Sequence, residues 1–319
     1  MPAKQKSNEL KLTRVYDAPV EAVWEAWTDP EQVAKWWGPR GFTLTTHSKD
    51  LRPGGHWRYT MHGPDGTDYP NNTIYHEVEE YKRLVYDHGG YEDRPPLFRV
   101  TVLFKRIGGQ TQLEMSMAFP SPEEAEQAKK FIKKANGHST WDRLAEYLAK
   151  EIAGREVFVI NRSFEASIET LFEMWTDPGH FAQWLGPAGS QMEYLDAAIA
   201  EGKTSFYKMT LPSGLKMYGK MQYLKIERPA YLEYTQIFCD ENGNPAKHPL
   251  APVWPDLMLT RVLFSKEGEG QTRATIIWEP SGKVSPEEWK VFIDMRTSMT
   301  QGWNQAFDKL EDYLGAAKA

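Results

Sequence analysis

The stretch SPEEWKVFIDMRTSMTQGWNQAFDKLEDYL, residues 285–314, decides the fold. Its apolar residues fall at Trp289, Phe292, Met295, Met299, Trp303, Ala306, Leu310 and Tyr313. Steps of three and four repeated this often describe one face of an α-helix. At 1.5 Å per residue, the spacing predicts a single helix roughly 45 Å long. Its start is also written: Ser285 can accept from the first turn, Pro286 gives up an N–H that would be unsatisfied anyway, and Glu288 completes a capping box. The same punctuation occurs earlier as Ser121, Pro122 and Glu124, before Ala125, Ala128, Phe131, Ile132, Ala135, Leu144 and Leu148. Each half of the chain is therefore expected to end in a long amphipathic helix. Each helix needs a broad apolar surface to cover it.

The halves repeat each other. Trp27-Thr28-Asp29-Pro30 returns as Trp175-Thr176-Asp177-Pro178, and Trp36-Trp37-Gly38-Pro39 as Trp184-Leu185-Gly186-Pro187. Pro64-Asp65-Gly66 becomes Pro212-Ser213-Gly214, and Leu84-Val85-Tyr86 becomes Leu232-Glu233-Tyr234, all at an offset of 148. A period this long means a duplicated domain, because solenoid repeats are several-fold shorter. Beyond Tyr234 the second copy carries an insertion containing Asp240-Glu241-Asn242-Gly243-Asn244-Pro245 and Trp254-Pro255. It reads either as a lid over the second copy or as an inert surface excursion. The domains are placed at 8–150 and 156–315. Each copy opens with a strand, continues with two short helices, then about six antiparallel strands punctuated by Pro-Gly and Gly-Gly turns, and closes with its helix. The fold class is α+β, a curved antiparallel sheet wrapped around a long C-terminal helix.

Composition narrows the function classes. The 319 residues are 40% hydrophobic and 26% charged, ordinary for a globular protein. The net charge of -6 lies in residues 151–319, so no basic field for nucleic acid is visible. One cysteine, Cys239, excludes an internal disulfide and fits a reducing compartment. Met1 to Leu10 carry no apolar run of the secretory kind, and no stretch has the length of a membrane span. These features lead to the expectation of a cytoplasmic protein without membrane insertion.

The run Ala26-Trp27-Thr28-Asp29-Pro30, Trp36-Trp37-Gly38-Pro39, Pro53-Gly54-Gly55-His56-Trp57-Arg58 and Arg83-Leu84-Val85-Tyr86 resembles the bacterial relatives of the C-terminal domain of the heat-shock-protein-90 ATPase activator. These belong to the helix-grip (SRPBCC) superfamily, with the START lipid-transfer domains, the birch-pollen allergen fold and polyketide cyclases. The second copy shares the Trp-Thr-Asp-Pro and Gly-Pro landmarks and Gly302-Trp303 on its helix. It departs after Gly-Pro, where Glu201-Gly202-Lys203 replaces the Gly-Gly turn, and the first copy has Gly137-His138 in place of Gly-Trp. The resemblance covers nearly the whole chain twice. It implies two tandem helix-grip domains and, through the family name alone, a chaperone as a partner.

Period-two alternation picks out the side chains expected to face the helix. In the first copy these include Trp57, Tyr59, Ile74, His76, Val78, Leu84, Tyr86, His88, Met115 and Met117. In the second they include Tyr207, Leu224, Tyr234, Gln236, Phe238 and Trp278, with Trp254 on the insertion and Met295, Met299 and Trp303 on the helix. An apolar, aromatic interior with a few hydroxyls and imidazoles suits a cavity for a hydrophobic molecule. It equally suits a plain core. His76 and His88 would orient a polar ligand head, transfer protons, or be satisfied core groups. The remaining histidines lack metal-ligand spacing, so no metal and no cofactor is expected. Three functions stand open: non-enzymatic binding of a hydrophobic small molecule or lipid, activation of a chaperone ATPase, and a cyclase- or hydrolase-like activity using the cavity histidines.

Overall fold

The computed structural model describes residues 7–89, 95–134 and 139–316. The chain divides into two compact units, Met1–Arg155 and Glu156–Ala319. In the first, the elements run β1 (Glu9–Tyr16), α1 (Val20–Thr28), α2 (Pro30–Trp36), β2 (Thr43–Lys49), β3 (His56–His62), β4 (Asp68–Glu79), β5 (Arg83–His88), β6 (Phe98–Ile107), β7 (Gln110–Ala118), α3 (Pro122–Lys134) and α4 (Ser139–Ala153). The second repeats this as β8 (Phe158–Phe164), α5 (Ile168–Thr176), α6 (Pro178–Trp184), β9 (Gln191–Asp196), β10 (Thr204–Thr210), β11 (Lys216–Glu227), β12 (Tyr231–Cys239), β13 (Met258–Gly268), β14 (Gln271–Pro280), α7 (Pro286–Asp294) and α8 (Arg296–Ala316). Each unit has one seven-stranded antiparallel sheet, in the orders β1-β7-β6-β5-β4-β3-β2 and β8-β14-β13-β12-β11-β10-β9. The α+β helix-grip architecture expected from the repeat is therefore present twice.

Local chemistry sets the element ends. Asp29 accepts from the N–H groups of Glu31 and Gln32, and Asp177 from that of His180, so both second helices start at their Asp-Pro. Ser285 and Glu288 form the reciprocal capping box. The C-terminal helix differs from the expectation of one rod. It is divided into α7 and α8 at Met295, whose backbone stays in the αR region and whose N–H bonds the Val291 carbonyl at 3.0 Å. Phe292 of α7 packs on Trp254 of the insertion, ring centroids 5.9 Å apart, while α8 buries Met299, Trp303, Phe307 and Leu310 in the core of the unit. In the first unit α3 and α4 are separate stretches, and Ala135, Gly137 and His138 lie outside the described residues.

The short helices are clamped by indoles. Trp36 and Trp184 are fully buried, and their Nε1–H groups donate to the carbonyls of Ala26 and Met174 at 2.9 Å in both cases. The same use of a polar handle on an apolar ring in both copies identifies these as packing groups. α4 is held by charge as well as by packing. Arg40 and Glu146, each with a side chain 7% exposed, pair through two bonds of 2.9 and 2.8 Å. Arg143 donates to the carbonyls of Gly38 and Pro39 at the Gly-Pro turn. The second unit holds α8 through Arg162 of β8, which pairs with Asp308 at 2.5 Å, and through two contacts at its own Gly-Pro turn. Gln305 accepts from the Ala188 N–H, and Lys309 donates to the carbonyls of Leu185 and Ser190.

Removing the first clamp measures its share. Trp36→Ala should lower the unfolding free energy of the full chain in urea by about 3–5 kcal/mol, the usual cost of deleting a buried large aromatic. A loss below about 1 kcal/mol would contradict the assignment of Trp36 as a packing group.

Candidate functional site

Strand alternation holds in β6, where Val100, Val102 and Phe104 are 2%, 0% and 5% exposed. It breaks in β4. Tyr75 pairs with Tyr86, but Glu77 and not His76 pairs with Val85, so His76 is an extra residue in a bulge. The bulge overturns the expected placement of Ile74 and His76. Tyr75 is the buried residue, and His76 lies on the outer face, its Nε2 2.7 Å from Asp87, which also receives Arg99. The second unit has the same shift between Tyr223 and Lys225. Leu224, expected to face inward, is exposed, and Tyr223 is buried in its place.

The correction assembles a polar patch on the inner face of the first sheet. On adjacent strands Thr73 lies opposite His88 and Tyr75 opposite Tyr86. Thr73, Tyr75 and Tyr86 are buried and His88 is half-buried. The tyrosine rings meet edge to face at 6.0 Å, and the His88 ring stacks on Phe98 at 4.9 Å, with Phe119 beyond it. On the other side, Trp57 lies opposite Thr73 and stacks on Tyr59 at 4.1 Å. Lys49 sits over the Trp57 ring at 4.2 Å and donates to the Trp27 carbonyl at 2.9 Å. Burial pushes its ammonium down to about 7, against the opposing pull of Asp29. Met115 is buried in the same core, and Met117 packs against its edge.

The side chains of Tyr75, Tyr86 and His88 make no hydrogen bond with the described residues. Burial pushes both phenols well above their ordinary value and the His88 imidazole down to about 4. At neutral pH the patch therefore offers uncharged donors and acceptors in an aromatic setting. Chemically it can fix the polar end of an otherwise apolar molecule. No carboxylate orients the His88 ring, whereas the His–Asp pair of His76 and Asp87 stands on the opposite face of the sheet.

The second unit places Met221 opposite Gln236 and Tyr223 opposite Tyr234. Gln236 donates to the Tyr207 hydroxyl at 2.5 Å. The Tyr223 and Tyr234 rings lie 5.9 Å apart, while the buried hydroxyls of Tyr194 and Thr260 have no hydrogen-bond partner among the described residues. Tyr207 lies where a side chain at position 219 would project, and Gly219 leaves that space open. Trp278 meets Trp303 at 5.5 Å, and Met299 is buried beneath them while Met295 packs at the helix break. The insertion folds down onto this unit, with Phe238 against His248 at 4.5 Å and Trp254 buried against α7. Its tryptophan is part of the core.

Sequence reading missed Thr73, Tyr75 and Tyr223. A signal existed: Tyr75 and Tyr223 are identical at the 148 offset, whereas His76 and Leu224 differ. Two clefts lie elsewhere, of about 350 and 390 Å³, the first beside Ser167, Met174, His180 and Tyr313, the second beside Gln183, Met192 and Lys208. None of the side chains expected to line an interior faces either cleft.

The His88 environment has a pH signature. Its folded pKa near 4 lies below the ordinary 6.5, so the unfolded chain binds the extra proton first. The stabilisation is complete above pH 6.5 and is lost as pH falls toward 4, by about 3 kcal/mol at most. His88→Gln should remove most of that acid limb when unfolding in urea is compared at pH 7 and pH 4.5. An unchanged limb would contradict burial of a neutral imidazole.

The family model for Activator of Hsp90 ATPase homolog 1-like protein matches residues 17–149 and again 165–315. No curated protein matches the chain. Among solved structures, a protein from Nitrosomonas europaea is 26% identical, with 47% of this chain and 99% of that chain covered and a TM-score of 0.42. One from Mycobacterium smegmatis is 22% identical over 50% and 90%, with a TM-score of 0.42. A Silicibacter pomeroyi protein described as AHSA1 is 16% identical over 50% and 99%, with a TM-score of 0.40. With two matches that together span most of its length, the chain belongs to the family of Activator of Hsp90 ATPase homolog 1-like proteins, as two tandem copies of its fold.

Proposed function

We propose that the protein binds a mostly apolar small molecule or lipid between a sheet and its C-terminal helix, without turning it over. The family supports a ligand-binding or co-chaperone-like role in general. The observation that carries the narrower reading is the set Tyr75, Tyr86 and His88, three inward polar groups without a hydrogen bond to the described residues. A molecule that bonds these groups would also cover the surrounding rings of Trp57, Tyr59 and Phe98. Binding is favoured over catalysis because an acid–base pair needs a second group to hold its tautomer. The His88 ring stacks on Phe98 and lies opposite Thr73, with no carboxylate bonded to it among the described residues. No helix among the described residues is long and apolar enough to cross a membrane.

Native mass spectrometry of the full chain, purified without detergent and then exposed to a panel of lipids and aromatic alcohols, tests the reading. A bound species of small-molecule mass is expected, with its occupancy reduced at least tenfold by His88→Leu or Tyr86→Phe. A chain that stays empty across the panel would overturn it.

A further inference from the structure

We propose that the first unit carries an acyl-transfer site on the outer face of its sheet, in which Thr45 attacks small activated esters with His62 as its base and Asp68 holding the imidazole. The site is independent of the binding reading above, which concerns the inner face.

Two strands and one turn build it. β2 closes one edge of the sheet and pairs with β3. Leu44 and Met61 lie opposite each other and belong to the core or pack against it, so the next pair in register, Thr45 and Thr60, stands on the outer face. Beyond His62 the chain turns through Pro64-Asp65-Gly66, closed by the Gly63 N–H on the Thr67 carbonyl at 2.8 Å. Gly66 supplies the positive φ of +82° that the turn requires, and β4 then starts with Asp68 directly opposite His62. Two residues past Thr60, His62 reaches Thr45 on the diagonal between strands. Asp68 Oδ1 lies 2.6 Å from His62 Nδ1, and the Thr45 hydroxyl oxygen lies 2.9 Å from Nε2. A carboxylate that accepts from Nδ1–H leaves Nε2 as the acceptor, and Nε2 is the atom facing the hydroxyl. Carboxylate, imidazole and hydroxyl, joined through the two different ring nitrogens, form the relay that takes a proton from an attacking alcohol.

Neighbouring groups show that this order is particular to these residues. His76 on the same face meets Asp87 through Nε2, and that carboxylate is shared with the Arg99 guanidinium. In the second unit Thr45, Thr60, His62 and Asp68 become Glu193, Lys208, Thr210 and Lys216. Glu193 lies opposite Lys208 as Thr45 lies opposite Thr60, and those two form an ion pair. The fold is therefore satisfied at this register by a salt bridge and does not require the relay. The first unit adds one more donor. The Thr60 hydroxyl lies 2.8 Å from His47 Nε2. With His47 donating, Thr60 keeps its own proton for the charge that develops on a carbonyl oxygen held at Thr45.

In the first step the Thr45 oxygen adds to the ester carbonyl while its proton passes to His62. The bond to the leaving oxygen then breaks, and the departing phenol takes up that proton. Water adds to the acyl-threonine with its own proton going to His62. Cleavage of the acyl–Thr45 bond returns the proton to the threonine oxygen and releases the carboxylic acid. The side chains of His62 and Asp68 are 37% and 64% exposed, so the face is open and offers little binding energy to spend on the barrier. The substrate class is accordingly small esters of a good leaving group.

Hydrolysis of p-nitrophenyl acetate by the full chain at pH 7.5, with peptide mapping of acid-quenched samples, tests the site. Several turnovers per chain are expected, with acetyl found on Thr45. General-base assistance is typically worth roughly 10²–10⁴-fold. Thr45→Val and His62→Gln should therefore each lower the rate at least tenfold, and Asp68→Asn should lower it several-fold. Thr45→Ser should keep the activity, and Thr210→Val in the second unit should leave it unchanged. Circular dichroism checks that each variant is folded. A Thr45→Val chain as fast as the unsubstituted one, or acetyl confined to lysine and histidine side chains, would overturn the proposal and leave the binding reading untouched.

Discussion

A strand shows its side chains to alternate faces, so one extra residue exchanges the inner and outer sets beyond it. In this protein that residue is His76 in one copy and Leu224 in the other. Before the bulge, Thr73 and Tyr75 face inward, and after it Val78 does so again. Had β4 run without interruption, a chain with the same composition would have carried an imidazole inside and a phenol outside. The interior chemistry of both units depends on this irregularity, because it pairs Tyr75 with Tyr86 and Tyr223 with Tyr234.

Around that point the two units solve the same packing problem with different side chains. Indole N–H groups close the short helices in both. The first unit fixes its C-terminal helix with the buried Arg40–Glu146 pair, where the second uses an amide and a lysine at the turn and an Arg162–Asp308 pair from β8. A buried pair of opposite charges gains little net stability over apolar packing but penalises any other register of the helix. The second unit instead spends an insertion on the opposite end of its helix, where Trp254 fills a place beside Phe292. Duplication supplied one architecture, and substitution at a few inward positions gave the two interiors different polar groups.

Much of this was legible in the residues. The 148 offset showed the duplication, Ser-Pro-x-Glu and Asp-Pro showed the helix starts, and alternation in β6 and β7 gave the correct inner face. Three features were not. The bulge leaves no local mark, because Tyr75-His76 and Tyr223-Leu224 each read as unbroken strand, and only tertiary pairing with β5 and β12 decides which residue is extra. The helix break at Met295 is equally silent: Met is a good helix former, and the apolar spacing continues through it. The hydrogen-bonding state of a buried phenol is likewise a property of its neighbours, so sequence named Tyr86 and Tyr207 alike, although only Tyr207 receives a side-chain bond, from Gln236.

The account comes down to one claim about the first unit, that Tyr75, Tyr86 and His88 point at something the chain itself does not provide. High-resolution crystallography of the full chain as purified tests this most directly. The account predicts density for a non-protein organic group within hydrogen-bond distance of these three side chains. A first unit whose side chains close over the patch and satisfy all three groups from within would contradict it.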